Sequence, residues 1–424
     1  MRTATCSKAL IAAFIVVTFV GVGTCEAIPI NVQVLSATIK DKKVEDATVT
    51  LQKNGEQSAV GTTDSRGQVS LNFSSVDDAS ALLIIKKEGY SNLVVKCPCA
   101  GMTYAISPVM NNLDGMRAVL VWGAQPRDID AHLLVLPQKS TDTVQKTHIF
   151  FGNKSDWWDK TQNQLLDVDN TTGYGPETIT INRKLEGVRY IYSVHNFSDA
   201  SKPRSDGLSK SGAKVFVYVG KTLIKTFEVP KSTGNLWTVF TVSEVGELQE
   251  SGLMQSVAAN TGPGSYQLEE YLMATNAPQL IKPEINFKTM HPSTSIKLDA
   301  MAESLNKEGE MAYHSGNLDE SIRLYQAAIE LDGNYGQAYS NLGLAFQKAG
   351  REAEAMWANR KAIALANGPT AATVRASSHF NNGKIYEAAS QWSDALREYQ
   401  HAKNEKTNPV YDKAIQQMLE KAGH

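Results

Sequence analysis

Short runs of alternating hydrophobic and polar residues fill the chain between residues 28 and 110. Residues 31–40 alternate, residues 44–51 are rich in β-branched side chains, and residues 81–90 end an apolar run with a glycine turn. Such residues favour strands, in which successive side chains point to opposite faces. Short strands at this spacing are typical of a sandwich. The pattern therefore predicts a first β-sandwich over residues 28–110.

Residues 111–246 continue with strand-like runs and show no helical periodicity. Gly220 and Lys221 lie between two of these runs and predict a hairpin turn. Many strands without helices bury their apolar faces best as two packed sheets, which predicts a second β-sandwich. The predicted strands are 116–122, 129–136, 148–151, 178–182, 189–194, 214–219, 223–229 and 236–242.

The character of the sequence changes twice after the second sandwich. Residues 247–298 contain Gly-Pro-Gly at 262–264 and several later prolines, a composition typical of a linker. Residues 299–424 instead place apolar residues at helical spacing, and glycines recur at Gly309, Gly343 and Gly383. The first interval is 34 residues, which is the period of the tetratricopeptide family, and the second is 40.

The last third resembles tetratricopeptide repeats because small residues recur twelve positions after each glycine, at Ser321, Ala355 and Ala395. The resemblance implies three repeats closed by an amphipathic capping helix over residues 410–421. Asn359 stands where the family usually has an aromatic ring, so poor packing is expected there. The predicted fold class is therefore two all-β sandwiches followed by an all-α tetratricopeptide solenoid.

In this family the first helix of each repeat contributes to a concave face that binds extended peptides. The resemblance therefore implies a protein or peptide partner, with a repeat array that only spaces or dimerises as the alternative. The pattern that clamps acidic C-termini is absent, since Asn341 matches it but Glu310 and Asn381 do not. The predicted peptide-binding residues are Asn306, Glu310, Tyr313, Ser340, Gln347, Phe380, Lys384 and Glu387.

Two further resemblances concern the sandwiches. Ala-Thr-Val at 47–49, Thr-Thr-Asp at 62–64 and Lys-Glu-Gly-Tyr at 87–90 resemble the carboxypeptidase-regulatory-like family, which implies a spacer or adhesive module. Pro126 to Leu133 and Gly-Tyr-Gly-Pro-Glu at 173–177 resemble the YfaP family of exported bacterial proteins. That family has no known function, so the resemblance implies domain identity and, weakly, protein interaction in the periplasm.

The second sandwich also concentrates acidic residues, in two Asp-x-Asp pairs about 40 residues apart. Carboxylates beside a glycine-rich loop are the oxygen ligands that calcium takes, and crowded carboxylates repel each other without a cation. Calcium is thus the candidate cofactor, at Asp128, Asp130, Asp167 and Asp169. The alternatives are that these residues shape turns through side-chain bonds to the backbone, or that they form a catalytic carboxylate pair.

Three histidines in the same sandwich, His132, His148 and His195, suggest a zinc site. Their spacing is irregular and lacks a His-x-x-x-His or cysteine partner, so ordinary hydrogen-bonded histidines are expected.

Cys97 and Cys99 leave three interpretations open: a strained local disulfide, two buried thiols, or a redox or soft-metal site. A disulfide looks strained because Cα atoms two apart in a strand lie ~6.6 Å from each other.

Residues 1–27 are typical of a signal peptide, with Arg2 and Lys8 before an apolar run and Cys25-Glu26-Ala27 as the cleavage site. Lipidation at Cys25 is the alternative. The apolar run of about 15 residues is short for the ~20 residues of a membrane span, so no span is expected after cleavage. The chain is predicted to be exported, to the periplasm or outside the cell.

The net charge of -2 argues against nucleic acid or an anionic membrane as a partner. The sequence shows no nucleophile elbow, phosphate-binding loop or His-Glu-x-x-His motif. A non-enzymatic binding or scaffold protein is therefore expected. A carbohydrate- or cell-wall-binding protein with a glycan ligand is the main alternative, and a metal-dependent hydrolase is the third class that the aspartate pairs allow.

If the signal peptide is cleaved after Ala27, the mature chain begins near Ile28. N-terminal sequencing of the protein made in its natural host measures this directly. An intact Met1 on the soluble protein contradicts the prediction.

Overall fold

The computed structural model describes residues 28–53, 55–73, 77–141, 144–155, 163–257 and 300–422. The predicted signal peptide and most of the predicted linker lie outside these described residues. The described chain is rich in β-sheet up to residue 257 and all-helical from residue 300, which confirms the predicted fold class. Within the described part of the chain, no helix has both the length and the apolar character needed to span a membrane.

Seven strands form the first sandwich, in which a three-stranded sheet β4-β1-β7 faces a four-stranded sheet β3-β2-β5-β6. Every second residue of β2, β4 and β5 is buried, so these side chains fill the space between the sheets. The strands are β1 (Ile28–Ser36), β2 (Thr48–Lys53), β3 (Ala59–Thr62), β4 (Gln68–Phe73), β5 (Ala81–Lys86), β6 (Leu93–Lys96) and β7 (Thr103–Ile106).

Cys97 and Cys99 form a disulfide, which decides between the three interpretations. The chain leaves β6 at Lys96 and turns, so the two Cα atoms are 4.6 Å apart rather than at the separation of an extended strand. Asp77 holds the turn, because its carboxylate accepts hydrogen bonds from the backbone N–H groups of Cys99 at 2.8 Å and Ala100 at 2.7 Å.

Ten strands form the second sandwich, in two five-stranded sheets ordered β10-β9-β13-β16-β17 and β11-β12-β8-β14-β15. A 3-10 helix, Phe197–Asp199, and the short helix α1, Gly207–Lys210, follow β13. The strands are β8 (Met116–Val121), β9 (Asp130–Pro137), β10 (Thr147–Ile149), β11 (Gln164–Val168), β12 (Glu177–Ile181), β13 (Val188–His195), β14 (Lys214–Val219), β15 (Thr222–Glu228), β16 (Leu236–Val242) and β17 (Leu248–Gln255).

Strands β11 and β17 were not predicted from the sequence. The eight residues of β17 lack hydrophobic alternation, yet they pair with β16 from Leu248 to Gln255. Beyond the strand, Val257 is fully buried and exchanges two hydrogen bonds with the side chain of Asn235, at 2.8 and 2.9 Å. The predicted linker boundary at 247 is therefore wrong, because the second sandwich continues to at least residue 257.

One sheet of the second sandwich separates the cores of the two sandwiches and packs against both. Residues on the inner face of β8 and β14 pack within the second sandwich. Residues on their outer face, Val119, Val121, Phe216 and Tyr218, belong to the core of the first sandwich. Arg117 on β8 also donates a hydrogen bond to the hydroxyl of Ser107, directly after β7, at 2.7 Å. Burial of both faces explains why β8 and β14 are almost continuously apolar.

Seven helices form the solenoid as antiparallel pairs with a final capping helix. A Cβ atom added to Gly309 would lie 2.7 Å from the Tyr325 ring, and one added to Gly383 would collide with the Tyr399 ring. The recurrent glycines are thus the points where paired helices approach most closely. The helices are α2 (Ala300–His314), α3 (Leu318–Leu331), α4 (Gly336–Lys348), α5 (Glu352–Leu365), α6 (Ala371–Ala388), α7 (Trp392–Glu405) and α8 (Pro409–Ala422).

Asn359 replaces the usual aromatic ring, and its Oδ1 is buried without a hydrogen-bond partner, as is Nδ2 of Asn382. The Asn359 side chain is fully buried and fills the space beside Gly343 that the rings fill beside the other two glycines. Its amide Nδ2 donates to Oδ1 of Asn382, which is equally buried, at 2.9 Å. A polar pair therefore replaces the usual aromatic contact at the centre of the solenoid.

The solenoid packs against the second sandwich through its second helices. Ala353 and Trp357 of α5 contact the core of that sandwich. A buried polar cluster lies at the centre of this interface: Asp114 accepts from the Arg360 guanidinium and, at 2.6 Å, from the Tyr386 hydroxyl. Burial raises the pKa of Asp114, but the charge of Arg360 and these hydrogen bonds outweigh it, so the pKa lies below its usual value.

Replacement of Asp114 by asparagine leaves the Arg360 charge buried without its counterion. We expect the variant Asp114→Asn to lose about 3 kcal/mol or more of unfolding free energy, the usual result of breaking a buried ion pair. Urea unfolding followed by far-ultraviolet circular dichroism measures this, because most helices belong to the solenoid. The matched control is Asp206→Asn, which removes an exposed ion pair with Lys210 and should cost less than about 1 kcal/mol.

The same experiment repeated in acid checks the charge of Asp114. A carboxylate with a lowered pKa stabilises the fold above the unfolded-state value of about 3.9, and this contribution is lost as the pH falls through the folded-state pKa. The difference between wild type and Asp114→Asn should therefore shrink below about pH 4. Equal stability of both proteins at neutral pH contradicts the proposed role of the pair.

Candidate functional site

Acidic side chains converge at one end of the second sandwich. Asp128 and Asp130 lie at the start of β9, Asp169 follows β11, and Glu177 begins β12. Three of these side chains lie close together: one oxygen from each of Asp130, Asp169 and Glu177 lies within 4.8 Å of the other two. We call the four residues the acidic cluster. Two strands from one sheet and one from the other therefore supply it.

The loop between β11 and β12 brings the two halves of the acidic cluster together. Gly173 and Gly175 in this loop have φ angles of +87° and +78°. A Cβ atom on either would lie 2.9 Å from a backbone carbonyl oxygen, that of Ala124 or of Leu120. The loop therefore lies directly against the connection that leads into β9. Only glycine permits so close an approach at these φ angles without strain.

Two members of the acidic cluster are buried, Asp128 and Asp169 are half-buried, and the cluster is short of hydrogen bonds. Asp130 is 2% exposed and Glu177 is fully buried. Glu177 accepts one hydrogen bond, from the backbone N–H of Ala131 at 2.6 Å. A buried oxygen without a partner is expensive, and each member of the cluster has one. These oxygens are Oδ1 of Asp128, Oδ2 of Asp130, Oδ1 of Asp169 and Oε2 of Glu177.

The electrostatics of the acidic cluster follow from this burial. Desolvation raises the pKa of Asp130 and of Glu177 well above their usual values, and the charges of neighbouring carboxylates raise them further. The pKa of Asp128 is raised for the same two reasons. Lys154 forms an ion pair with Asp169 at 2.8 Å, which balances one charge. Protons or a bound cation must balance the others.

The structure contradicts the assignment of Asp167 to this site. Side chains alternate along β11, so Leu166 and Val168 point into the sandwich while Asp167 points out. Its carboxylate accepts from the Thr180 hydroxyl at 2.6 Å. Burial raises the pKa of Asp167 to about 6, while Thr180 and Arg117 oppose the change.

Glu177 takes the place of Asp167, and sequence reasoning missed it. The signal was present in the Gly-Tyr-Gly-Pro-Glu run, where a glutamate directly follows a tight loop. Glu177 occupies the first position of a strand whose five residues are all buried, so water cannot solvate its carboxylate. Such a residue needs a partner inside the protein.

Three histidines lie beside the acidic cluster on β9, β10 and β13. His132 Nδ1 and His148 Nε2 are 3.0 Å apart, within hydrogen-bond distance. His195 is paired with Asp130 across the two strands, and its ring centroid lies 6.0 Å from that of His132. Burial lowers the pKa of His132 well below its usual value, and those of His148 and His195 to about 4.

The expectation of ordinary hydrogen-bonded histidines is correct only for the contact between His132 and His148. The Nε2 atoms of His132 and His195 are both buried without a hydrogen-bond partner. Sequence spacing missed their proximity because the two residues belong to neighbouring antiparallel strands, where pairing rather than chain distance sets the contact.

The first helices of the solenoid carry a second candidate site, the peptide groove. Asn341 on α4 donates to Oδ1 of Asn306 at 3.0 Å and to Oε1 of Glu310 at 2.8 Å, both on α2. Gln337, which was not predicted, donates to Oδ1 of Asn341 at 3.0 Å. The structure thus brings two predicted residues into one amide and carboxylate network that joins two repeats.

Four of the remaining predicted groove residues contact a neighbouring side chain on the same helix or on the next first helix. The Ser340 hydroxyl lies 3.0 Å from that of Ser378 on α6, and Gln347 is half-buried on α4. Lys384 lies over the Phe380 ring at 6.0 Å, and the Lys348 ammonium over the Tyr313 ring at 4.6 Å.

Glu387 lies at the end of the groove and is occupied by intramolecular contacts. Its carboxylate accepts from the Tyr399 hydroxyl at 2.8 Å and from Lys421 on the capping helix at 2.9 Å. These bonds tie α6 to α7 and α8. Glu387 therefore has a structural partner already, unlike the exposed Lys384 three residues earlier.

Comparison with known proteins addresses the solenoid. Residues 309–350 match the tetratricopeptide family, described as TPR repeat, which confirms the predicted repeats in this region. Comparison with curated protein sequences found no match. The TPR domain of Arabidopsis OM64 is similar in structure, with 19% identity over 28% of this chain and 95% of that one, and a TM-score of 0.26.

Two further solved structures are similar to a comparable share of this chain. The first TPR of Spaghetti (RPAP3), bound to the HSP90 peptide SRMEEVD, has 18% identity over 30% of this chain and 99% of that one, with a TM-score of 0.27. The N-terminal domain of stress-induced protein-1 from C. elegans has 20% identity over 28% of this chain and 98% of that one, with a TM-score of 0.26.

Proposed function

We propose that this chain is an exported, non-enzymatic scaffold protein that binds an extended peptide in the groove of its solenoid. The network of Asn306, Glu310 and Asn341 carries the proposal. Asn306 and Asn341 are buried and use their amide groups on each other and on Glu310, so the network fixes the spacing of α2 and α4 along the groove. Peptide binding along such a groove is the function that resemblance to the repeat family implies.

The way the solenoid packs supports this use of the groove. Contacts with the second sandwich involve mainly the second helices: Glu354 and Arg360 of α5, Arg351 directly before α5, and Arg397 of α7 all bond to that sandwich. The faces that α2, α4 and α6 turn away from their partner helices therefore stay available. Lys348 and Lys384 are exposed on this side, which favours a peptide with acidic side chains.

The acidic cluster supports a second role, in which the central sandwich binds calcium. Asp128, Asp130, Asp169 and Glu177 each offer a buried oxygen without a partner, and calcium takes carboxylate oxygens of this kind. The cation would replace the missing partners and cancel the repulsion between the carboxylates. In this proposal calcium holds the β9 entry loop and the β11–β12 loop together, as a structural ion rather than a catalytic one.

Export rests on the apolar N-terminal segment and on the disulfide. Bonds such as that between Cys97 and Cys99 persist in oxidising compartments and are rare where thiols are kept reduced. The resemblance of the central sandwich to the exported YfaP family points the same way. We propose the periplasm or the cell exterior as the location.

Selection of random peptides on the immobilised full-length protein tests the groove. We expect the selected peptides to be extended and acidic. The variant Asn341→Ala should weaken their binding at least tenfold by fluorescence anisotropy, because it removes the amide that joins two repeats. Gln416→Ala, on the exposed face of the capping helix, is the matched control and should bind as wild type does.

Two outcomes oppose this proposal. Selected peptides that bind Asn341→Ala and wild type equally do not use the groove. Retention of the protein on cell-wall polysaccharide, with no peptide selected, favours the alternative of a glycan-binding protein.

Calcium should raise the melting temperature of the full chain over that in chelator. The stabilisation is about 2.7 kcal/mol when free calcium exceeds Kd a hundredfold. Glu177→Gln should abolish the difference, since it removes a buried ligand but keeps the shape of the side chain. Asp167→Asn is the matched control, because Asp167 points out of the sandwich, and should leave it unchanged. A melting temperature that does not change in millimolar calcium, together with no heat of binding in calorimetry, rules out the calcium-binding role.

A further inference from the structure

Two histidines beside the acidic cluster form, with one of its aspartates, a second group of possible metal ligands. Asp130, His132 and His195 each place one ligand atom within 4.8 Å of the other two. All three side chains are at most 2% exposed. Asp130 Oδ2, His132 Nε2 and His195 Nε2 are buried without hydrogen-bond partners. A single ion can bind all three residues, because they place ligand atoms this close together and each has a buried atom without a partner.

The backbone explains why these donors meet. Strands β9 and β13 are antiparallel neighbours, and His195 pairs with Asp130 while Ser193 pairs with His132. Paired residues point to the same side of a sheet, and so do residues two apart in one strand. Asp130, His132 and His195 therefore share the face of this sheet opposite to Ala131 and Leu133, which lie in the core.

Nitrogen donors distinguish this set from the oxygen ligands of the acidic cluster. Neutral imidazole suits zinc and other first-row transition metals, whereas calcium and magnesium prefer oxygen alone. Two histidines and one carboxylate are also a ligand set known for zinc, with a further position left for another ligand.

We propose that Asp130, His132 and His195 bind a zinc-class divalent ion next to the calcium site, with Asp130 shared between the two ions. The proposal extends the calcium role, on which it rests only through that shared carboxylate. Each site has ligands that the other lacks, so each can fail alone.

His148 completes the arrangement as a positioning residue. When Nε2 of His132 binds an ion, its Nδ1 carries the proton and donates to Nε2 of His148, at the 3.0 Å observed. A ligating histidine typically donates its second ring nitrogen in this way, which sets the tautomer and orients the ring. The Phe150 ring stacks on His148 at 4.5 Å between centroids and restricts its movement.

Calorimetric titration of metal-free, full-length protein with zinc chloride tests the proposal, with and without saturating calcium. We expect one zinc per chain in both conditions. His195→Gln should reduce zinc affinity at least a hundredfold and leave calcium binding intact. Asp169→Asn should do the reverse, and Asp130→Asn should weaken both. His148→Gln should weaken zinc binding about tenfold to a hundredfold, as loss of a partner of a metal-bound histidine does.

His314→Gln is the matched control, because His314 is exposed on α2 and should not affect zinc affinity. Competition between calcium and zinc for a single position, or zinc binding that His195→Gln does not change, overturns the proposal. Cobalt added to wild type supplies a test that needs no variant to fold. Visible absorption bands of cobalt bound to nitrogen and oxygen ligands are expected, and their absence at saturation contradicts the site.

Discussion

Burial of both faces of one sheet organises this protein. The sheet β11-β12-β8-β14-β15 packs one face against its own sandwich and presents Val119, Val121, Phe216 and Tyr218 to the first sandwich. The removal of apolar side chains from water drives both contacts, so the two sandwiches form one continuous β unit. The solenoid then packs on this unit through the buried pair of Asp114 and Arg360, whose separation would leave a charge unpaired.

The same burial explains the candidate metal sites. A carboxylate at a strand end is normally solvated, but Asp130 and Glu177 are buried at the end of the sandwich that carries the glycine-rich loop. Burial removes water from these carboxylates, which raises their pKa values and leaves oxygens without hydrogen-bond partners. In our proposals the central sandwich is therefore the part of the chain where ion binding would stabilise the fold. The proposed peptide groove, by contrast, is formed by the first helices of the solenoid, whereas mainly the second helices contact the sandwich.

Much of the architecture could be predicted because the information was local. Alternation along β2, β4 and β5 and the recurrence of Gly309, Gly343 and Gly383 each reflect contacts within one or two elements. Strand β17 could not be predicted this way, since Leu248–Gln255 has no apolar pattern of its own. It exists because β16 presents an edge with which any extended segment can pair.

The sequence by itself determined the fold class, the repeat register and the general location of the acidic chemistry. It placed Asp128, Asp130 and Asp169 in the candidate site because strand alternation and turn residues are read within a few positions. Only the tertiary structure decided that Asp167 points away, that Glu177 replaces it, and that His132 and His195 meet beside Asp130. Those outcomes depend on which strands become neighbours and on which faces lose water, and both are set by packing between segments far apart in the chain.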